Sequence, residues 1–349
     1  MKPRFALTAG LALLSATIVC AQTVAPEPPR QEPQYAPPTV STVLADARKL
    51  IDAGKPRTAI EKLQAIDPRS KDDSVEELLG VAYYHANDLA RAIEHLTPVV
   101  HRLPSDTLTR GEAFQVLGLS HYLAGHLAES IPYLEEAVLV TDDSKLAYAL
   151  GMAYAQTRRP EKARAAFART FHLPAGSAAA HVMAGVMMNR LELEDLAEAE
   201  LKAALQQDPK VPEAHYLLGQ IAIFRSRFDE GLALMRDELA INPAHAMALY
   251  RIGDIYAHQL KWERAIEALQ QSLWINPYFS GPYILLGKAY SRTNQLEAAE
   301  DMLRRAIQYD PNNKSAHYLL AQLLQQTGRS DEAKREFAIA ERLQGDPVK

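Results

Sequence analysis

The residues with the right types for chemistry are histidines, paired acids and isolated glycines, and their spacing argues against most chemistry. His181, His215 and His317 lie at multiples of one 34-residue interval. That interval puts each on a separate structural unit, whereas a metal needs ligands converging at about 2 Å. Packing against a neighbouring helix is the reading these histidines support. His121 and His126 are five residues apart and do not share a helical face. The acid pairs Asp72-Asp73, Glu135-Glu136 and Asp142-Asp143 fall at helix ends or on exposed faces, where charge is solvated or complements a helix dipole. No Gly-x-Ser-x-Gly, His-Glu-x-x-His, phosphate-binding glycine loop or dinucleotide fingerprint occurs. The glycines stand singly within helix-forming surroundings and cannot cradle a phosphate as a loop does. No catalytic residue, cofactor or metal is implied, and the chain reads as not an enzyme.

The elements that carry these residues repeat. Gly151, Gly185, Gly219, Gly253 and Gly287 are each 34 residues apart. Extending that frame gives nine units, starting at Val40, Asp73, Gly111, Ser144, Ala178, Pro212, Ala246, Ser280 and Lys314, with extra residues near 103–110. Position 8 is always tiny, from Ala47 and Gly80 through the five glycines above to Ala321. Position 20 is always small, as in Ala59, Ser130, Gly231 and Ala333. Position 24 is always large and apolar, as in Leu63, Phe167, Met235 and Phe337. Glycine inside a helix costs about 1 kcal/mol relative to alanine. Its recurrence therefore implies a gain from close helix approach, where two backbones pack without an intervening side chain. Asp208-Pro209, Asn242-Pro243, Asn276-Pro277 and Asp310-Pro311 end one unit and start the next, because proline cannot continue the preceding helix.

These columns, with Tyr83, Tyr154, Tyr256 and Tyr290 at position 11 and the four prolines at position 32, resemble tetratricopeptide (TPR) repeats over essentially all of residues 40–345. The resemblance implies an all-α, right-handed superhelical solenoid of about nine helix-turn-helix repeats. Helix A should cover roughly positions 2–14 and helix B roughly 15–29, with turns such as Arg292–Gln295 between them. It further implies a concave groove lined by helix A positions 2, 5, 9, 12 and 13. Here these positions include Tyr84, Tyr122, Tyr148, Arg190, Tyr216, Gln220, Phe224, Tyr250, Asp254, His258, Lys288, Arg292 and Tyr318. Tyrosine joins a rigid apolar ring to a hydrogen-bonding tip and suits a binding surface. The competing reading of these rings is that they fill gaps between adjacent A helices. The lysine-asparagine pattern with which some TPR proteins clamp a C-terminal carboxylate is not evident. Trp274, Tyr278, Phe279 and Tyr283 form a second aromatic cluster at one inter-unit loop, either a contact site or a loop anchor.

The N-terminus is different in kind. Lys2 and Arg4 precede a mostly apolar, uncharged run from Phe5 to Val19, followed by Val19-Cys20-Ala21. This order is that of a secretory signal peptide over residues 1–21, and the run is short for the ~20 residues a membrane-spanning helix needs. An uncleaved anchor is one alternative. A lipid on Cys20 is another, disfavoured because Val19 stands where lipoproteins have a small residue. Residues 22–39 hold six prolines between Pro26 and Pro38, which reads as an extended linker. Cys20 is the only cysteine, so a chain cut before Gln22 is thiol-free. The net charge of −5 becomes more negative on removal of Lys2 and Arg4, and no basic stretch stands out, which disfavours nucleic acid as a partner.

The sequence therefore reads as a bacterial, exported, periplasmic or secreted scaffold. It would bind an extended or helical segment of a protein or peptide partner, and its mature form would have no transmembrane segment. A carrier of a glycan or other polymeric ligand is the alternative, and an enzyme without a recognisable motif a weaker one.

Overall fold

The computed structural model describes residues 39–70, 72–104 and 108–345. The expected signal peptide and nearly all of the expected linker lie outside the described residues. Among those described, eighteen α-helices alternate along the chain and no strand occurs. They form nine pairs. α1 (Val40–Asp52) pairs with α2 (Pro56–Gln64), α3 (Asp73–His85) with α4 (Leu89–Leu96), and α5 (Leu108–Leu123) with α6 (Leu127–Val140). α7 (Ser144–Gln156) pairs with α8 (Pro160–Thr170), α9 (Ala178–Arg190) with α10 (Glu194–Gln207), and α11 (Ala214–Phe224) with α12 (Phe228–Ile241). α13 (Ala246–His258) pairs with α14 (Trp262–Ile275), α15 (Ser280–Arg292) with α16 (Leu296–Tyr309), and α17 (Lys314–Gln326) with α18 (Ser330–Gly345). None of these helices is long and apolar enough to cross a membrane.

The three sequence columns meet at one place in every unit. The position-20 residues, from Ala59 to Ala333, are buried, and so are the position-24 residues from Leu63 through Leu303. A Cβ placed on Gly151 would sit 2.6 Å from the Phe167 ring, on Gly219 2.7 Å from Met235, and on Gly287 2.5 Å from Leu303. Position 8 is empty of side chain because position 24 of the same unit occupies that space.

The turn between α15 and α16 falls at Arg292–Gln295 as expected, but the backbone conformation of these turns was not legible in advance. The fifteenth residue of all nine units has positive φ: Gly54, Asn87, Gly125, Arg158, Glu192, Ser226, Leu260, Asn294 and Gly328. Around each, two backbone bonds close helix A. In α13 the Leu260 N–H donates to the Ala257 carbonyl at 3.1 Å and the Lys261 N–H to the Tyr256 carbonyl at 2.9 Å. This is the Schellman arrangement, which uses carbonyls that a helix end leaves unpaired. It sets helix A at positions 1–13 and delays helix B to about position 17, later than expected. Gly345 is the last residue of α18.

Units join through side chains as well as prolines. Asp208, Asn242, Asn276 and Asp310 each accept the N–H two residues on, at 2.9–3.3 Å, turning the chain around the following proline. Each position-11 tyrosine reaches position 25 of the preceding unit. Gln64 donates to the Tyr83 hydroxyl at 2.8 Å, Arg236 to Tyr256 at 2.8 Å and Gln270 to Tyr290 at 2.7 Å. Tyr154 instead donates to the Glu135 carboxylate. Burial and that carboxylate hold the Tyr154 hydroxyl protonated well above the usual phenol range. Consecutive A helices also touch directly, α1 with α3, α3 with α5, α5 with α7, α13 with α15 and α15 with α17. The A helices thus form the inner layer of a continuous stack whose buried side chains run from unit to unit.

Candidate binding groove

The inner face from α9 to α17 carries a row of four cavities. The first, of about 690 Å³, lies between α9 and α11 and is lined by Asn189, Gln220, Phe224 and Arg251 among others. The second, of about 400 Å³, is lined by Asp254, His258, Trp262, Lys288 and Arg292. The third, of about 390 Å³, lies between α15 and α17 against Lys288, Arg292, Gln322 and Gln326. The fourth, of about 620 Å³, is floored by Ile284, Leu285, Leu319 and Phe337, with Lys288, Lys314, Tyr318 and Glu341 around it. Gln220 and Phe224 line the first cavity, and Asp254, His258, Lys288, Arg292 and Tyr318 line the other three, which all share Lys288. Phe224 is 77 % exposed and Tyr318 46 %, which leaves large apolar faces open to a partner.

Three of the four tyrosines at position 5 depart from the expectation of solvent-facing rings, Tyr318 being the open one. Tyr216 is only 8 % exposed. Its ring lies 4.6 Å from that of His245, which caps the A helix of the next unit, and its hydroxyl accepts from Gln220 at 2.8 Å. Tyr250 is half-buried, edge-on to Phe279 at 5.0 Å, again the residue that precedes the next A helix. Tyr148 is half-buried and stands 6.2 Å from Phe167. Tyr216 and Tyr250 fill the seams to the next A helix, the alternative reading of the sequence, while Tyr148 packs on helix B of its own unit. Tyr84 and Tyr122, at position 12, are half-buried too, and burial raises the hydroxyl pKa of both. Arg190 is exposed at the end of α9 and lines none of the four cavities.

The first units present a different inner surface. Arg48 of α1 bonds Glu112 of α5 at 2.6 Å and Glu77 of α3 at 3.4 Å, so one guanidinium bridges three A helices. Glu77 is buried at position 5, where four of the seven later units carry tyrosine. Burial pushes its carboxyl up to about 7, the nearby Glu112 adds to that, and Arg48 opposes it.

The histidines serve the packing. His181 pairs with buried Glu200 at 2.7 Å, and Arg164 completes that group at 2.8 Å. His317 pairs with Glu336 at 2.6 Å and meets the Pro311 carbonyl at 3.0 Å. His215 contacts the Pro209 carbonyl at 3.3 Å. One cluster escaped the sequence reading. Glu213, Glu238 and His245 bring their ligand atoms within 4.8 Å of one another. Their bonds show a structural task. Glu238 accepts the N–H groups of Glu213 and Tyr216 at 3.1 and 3.3 Å, at the start of α11. His245 Nδ1 accepts the Ala248 N–H at 3.1 Å, so its proton sits on Nε2, facing Glu213. A cation at Nε2 would need that proton moved to Nδ1, against the Ala248 N–H. The three residues cap two adjoining A helices.

The aromatic cluster near residue 274 divides. Phe279 turns inward to Tyr250, while Tyr283 is buried, stacks on Tyr309 at 5.4 Å and donates to the Pro277 carbonyl at 2.9 Å. Trp274 and Tyr278 stay on the surface, 91 % and 77 % exposed.

Comparison with known families matches two models, both described as tetratricopeptide repeat. One covers residues 116–180, 188–243 and 216–278, the other 292–347. The chain belongs to the tetratricopeptide repeat family, an all-α family of protein-interaction scaffolds. Among solved structures, MamA from Desulfovibrio magneticus RS-1 is similar at 22 % identity, over 48 % of this chain and 94 % of that one, with a TM-score of 0.44. A structure on Pseudomonas aeruginosa PilF is similar at 19 % identity, over 58 % and 93 %, with a TM-score of 0.48. The Cut9–Hcn1 complex is similar at 16 % identity, over 82 % and 56 %, with a TM-score of 0.43. A comparison with curated proteins gave no match.

Proposed function

We propose that this chain is a non-enzymatic scaffold that holds an extended or helical segment of a partner protein along the inner face of α9–α17, in the bacterial envelope. The observation that carries the reading is the row of cavities on one face with Phe224 and Tyr318 open beside them. A rigid repeat array offers such a surface ready-made, so a partner is bound without a large ordering cost in the scaffold. Binding would concentrate in a few aromatic and arginine anchors. The envelope location is supported by the basic, apolar and small-residue order of residues 1–21. A glycan carrier would also use free ring faces; those of Tyr216 and Tyr250 are covered by His245 and Phe279, which leaves Phe224 and Tyr318 as the open rings. The test is a displayed-peptide selection on the folded array. Peptides recovered should lose binding to a Phe224→Ala, Tyr318→Ala variant and keep it for Trp274→Ala, whose side chain lies outside the groove. Peptides that bind both variants like the parent would sink the assignment.

A further inference from the structure

We propose that the segment held at the α15–α17 end of the groove is acidic, with carboxylates flanking one large apolar side chain. The inference rests on the groove reading and names its ligand class. Lys288 lines three of the four cavities, Arg292 two of them, and Lys314 the rim of the last. Among the described residues none of the three has an ion-pair or hydrogen-bond partner. Several other surface arginines are matched, although Arg57, Arg159, Arg190 and Arg342 are not; what sets Lys288, Arg292 and Lys314 apart is that they gather around one set of cavities. Arg225 binds Glu194 and Glu198 at 2.9 and 2.5 Å, and Arg329 binds Glu300 and Glu332 at 2.7 Å each.

The nearby acids do not neutralise the three. Asp254 lies 3.8 Å from both Arg251 and His258 and is engaged there. Glu341 is the one carboxylate among the residues lining the last cavity, against Lys288 and Lys314. The inner face at α15–α17 is thus locally positive in a chain of net charge −5. Unmatched cations around a low-dielectric concavity focus field into it and favour an anionic visitor. The floor of the last cavity is aliphatic and aromatic, and its volume of about 620 Å³ exceeds that of a leucine or phenylalanine side chain. A segment with both features matches charge and shape together, and a plain polyanion matches only the charge.

Three fluorescent probes test this on the full chain: a peptide of glutamates around a Leu-Phe pair, its glutamine twin and its lysine twin. The acidic probe should bind at least about tenfold tighter than the glutamine twin, with the advantage shrinking as salt rises. Lys288→Glu with Arg292→Glu should transfer the preference to the lysine twin. Both side chains are exposed, and an unchanged thermal transition would verify that the variant is folded. Equal binding of acidic and glutamine probes, or no binding of either, overturns the proposal. So does an unchanged preference in the reversed variant. An oligothymidylate that displaces the acidic probe at lower concentration than a polyglutamate would assign the cations to phosphate and overturn it as well. The displayed-peptide selection separates the two failures. Neutral peptides still lost by the Phe224 and Tyr318 changes keep the groove and remove the acid, whereas peptides indifferent to those changes remove both.

Discussion

Replacing Gly253 by alanine sets two opposed effects against each other, and the structure says which wins. In an isolated helix the change stabilises by about 1 kcal/mol, because alanine is the better helix former. At position 8 of α13 the new methyl would stand 2.6 Å from Leu269 Cγ, 2.7 Å from its Cδ2 and 3.3 Å from the Ala265 carbonyl oxygen. Ordinary carbon contacts are about 3.5–4.0 Å, so something must move by about 1 Å. Leu269 is fully buried, so any shift must be taken up by its packed neighbours. Overpacking of this kind costs about 1–3 kcal/mol. The expected net effect is a loss of about 1 kcal/mol, larger for Gly253→Leu. Gly176→Ala is the control, since a Cβ there meets nothing within 4 Å.

Repeat arrays need not unfold in one step, so a single midpoint is a poor measure. Amide exchange over α13 and α14, alongside urea denaturation, reports the local effect. A double-mutant cycle sharpens it. Leu269→Ala alone should cost about 2–5 kcal/mol. In the Gly253→Ala background it should cost less, with a coupling of about 0.5–3 kcal/mol, because the methyl then enters the vacated space. Stabilisation of Gly253→Ala by the full helix-propensity gain, or strict additivity in the cycle, would show that the two helices do not meet as described.

Leu260, 70 % exposed, holds positive φ at a position where Gly54, Gly125 and Gly328 do the same without a side chain, so Leu260→Gly should stabilise α13–α14 by about 1 kcal/mol, read by urea denaturation. Glu77 has its folded pKa raised from 4.5 to about 7. Its contribution is therefore fully present below pH 4.5 and lost as pH rises through about 7. At 1.36 kcal/mol per pH unit the loss is about 3 kcal/mol, and Glu77→Gln should flatten the stability profile of the first three units across that window. Tyr250→Ala should lower stability, because the ring packs edge-on against Phe279 of the next unit, and amide exchange at the start of α15 should speed up; an unchanged rate there would return Tyr250 to the groove.

The fold was legible because its strongest constraint lies inside each unit. Positions 8, 20 and 24 meet one another within a single helix pair, so each repeat restates the same steric demand, and nine restatements make a pattern. The left-handed turn residue is equally regular, yet it was missed. Only three of its nine occupants are glycine, and Arg158, Glu192, Ser226 and Leu260 give no sign of it. Their side chains point to solvent, so the strain of about 1–2 kcal/mol is offset by the helix-closing bonds and leaves little mark on the sequence.

The groove was half legible for a related reason. A repeat position fixes which way a side chain leaves its own helix, but not what the next unit places against it. Tyr216 and Tyr250 leave α11 and α13 toward the inner face, as position 5 requires. Each is then covered by the residue that starts the neighbouring helix, His245 or Phe279. Lys288 and Arg292, at positions 9 and 13, lie farther from that junction and stay open. Glu77 shows the same seam in its polar form, with Arg48 from the preceding unit in place of an aromatic cover from the following one. Position 5 is therefore a joint between units wherever the next helix covers it, whereas Tyr318, at position 5 of the last unit, stays open with positions 9 and 13 on the surface proposed for a partner. Substitutions at a covered position 5 should change how the units are held together, and those at Tyr318 and at positions 9 and 13 should change what is held.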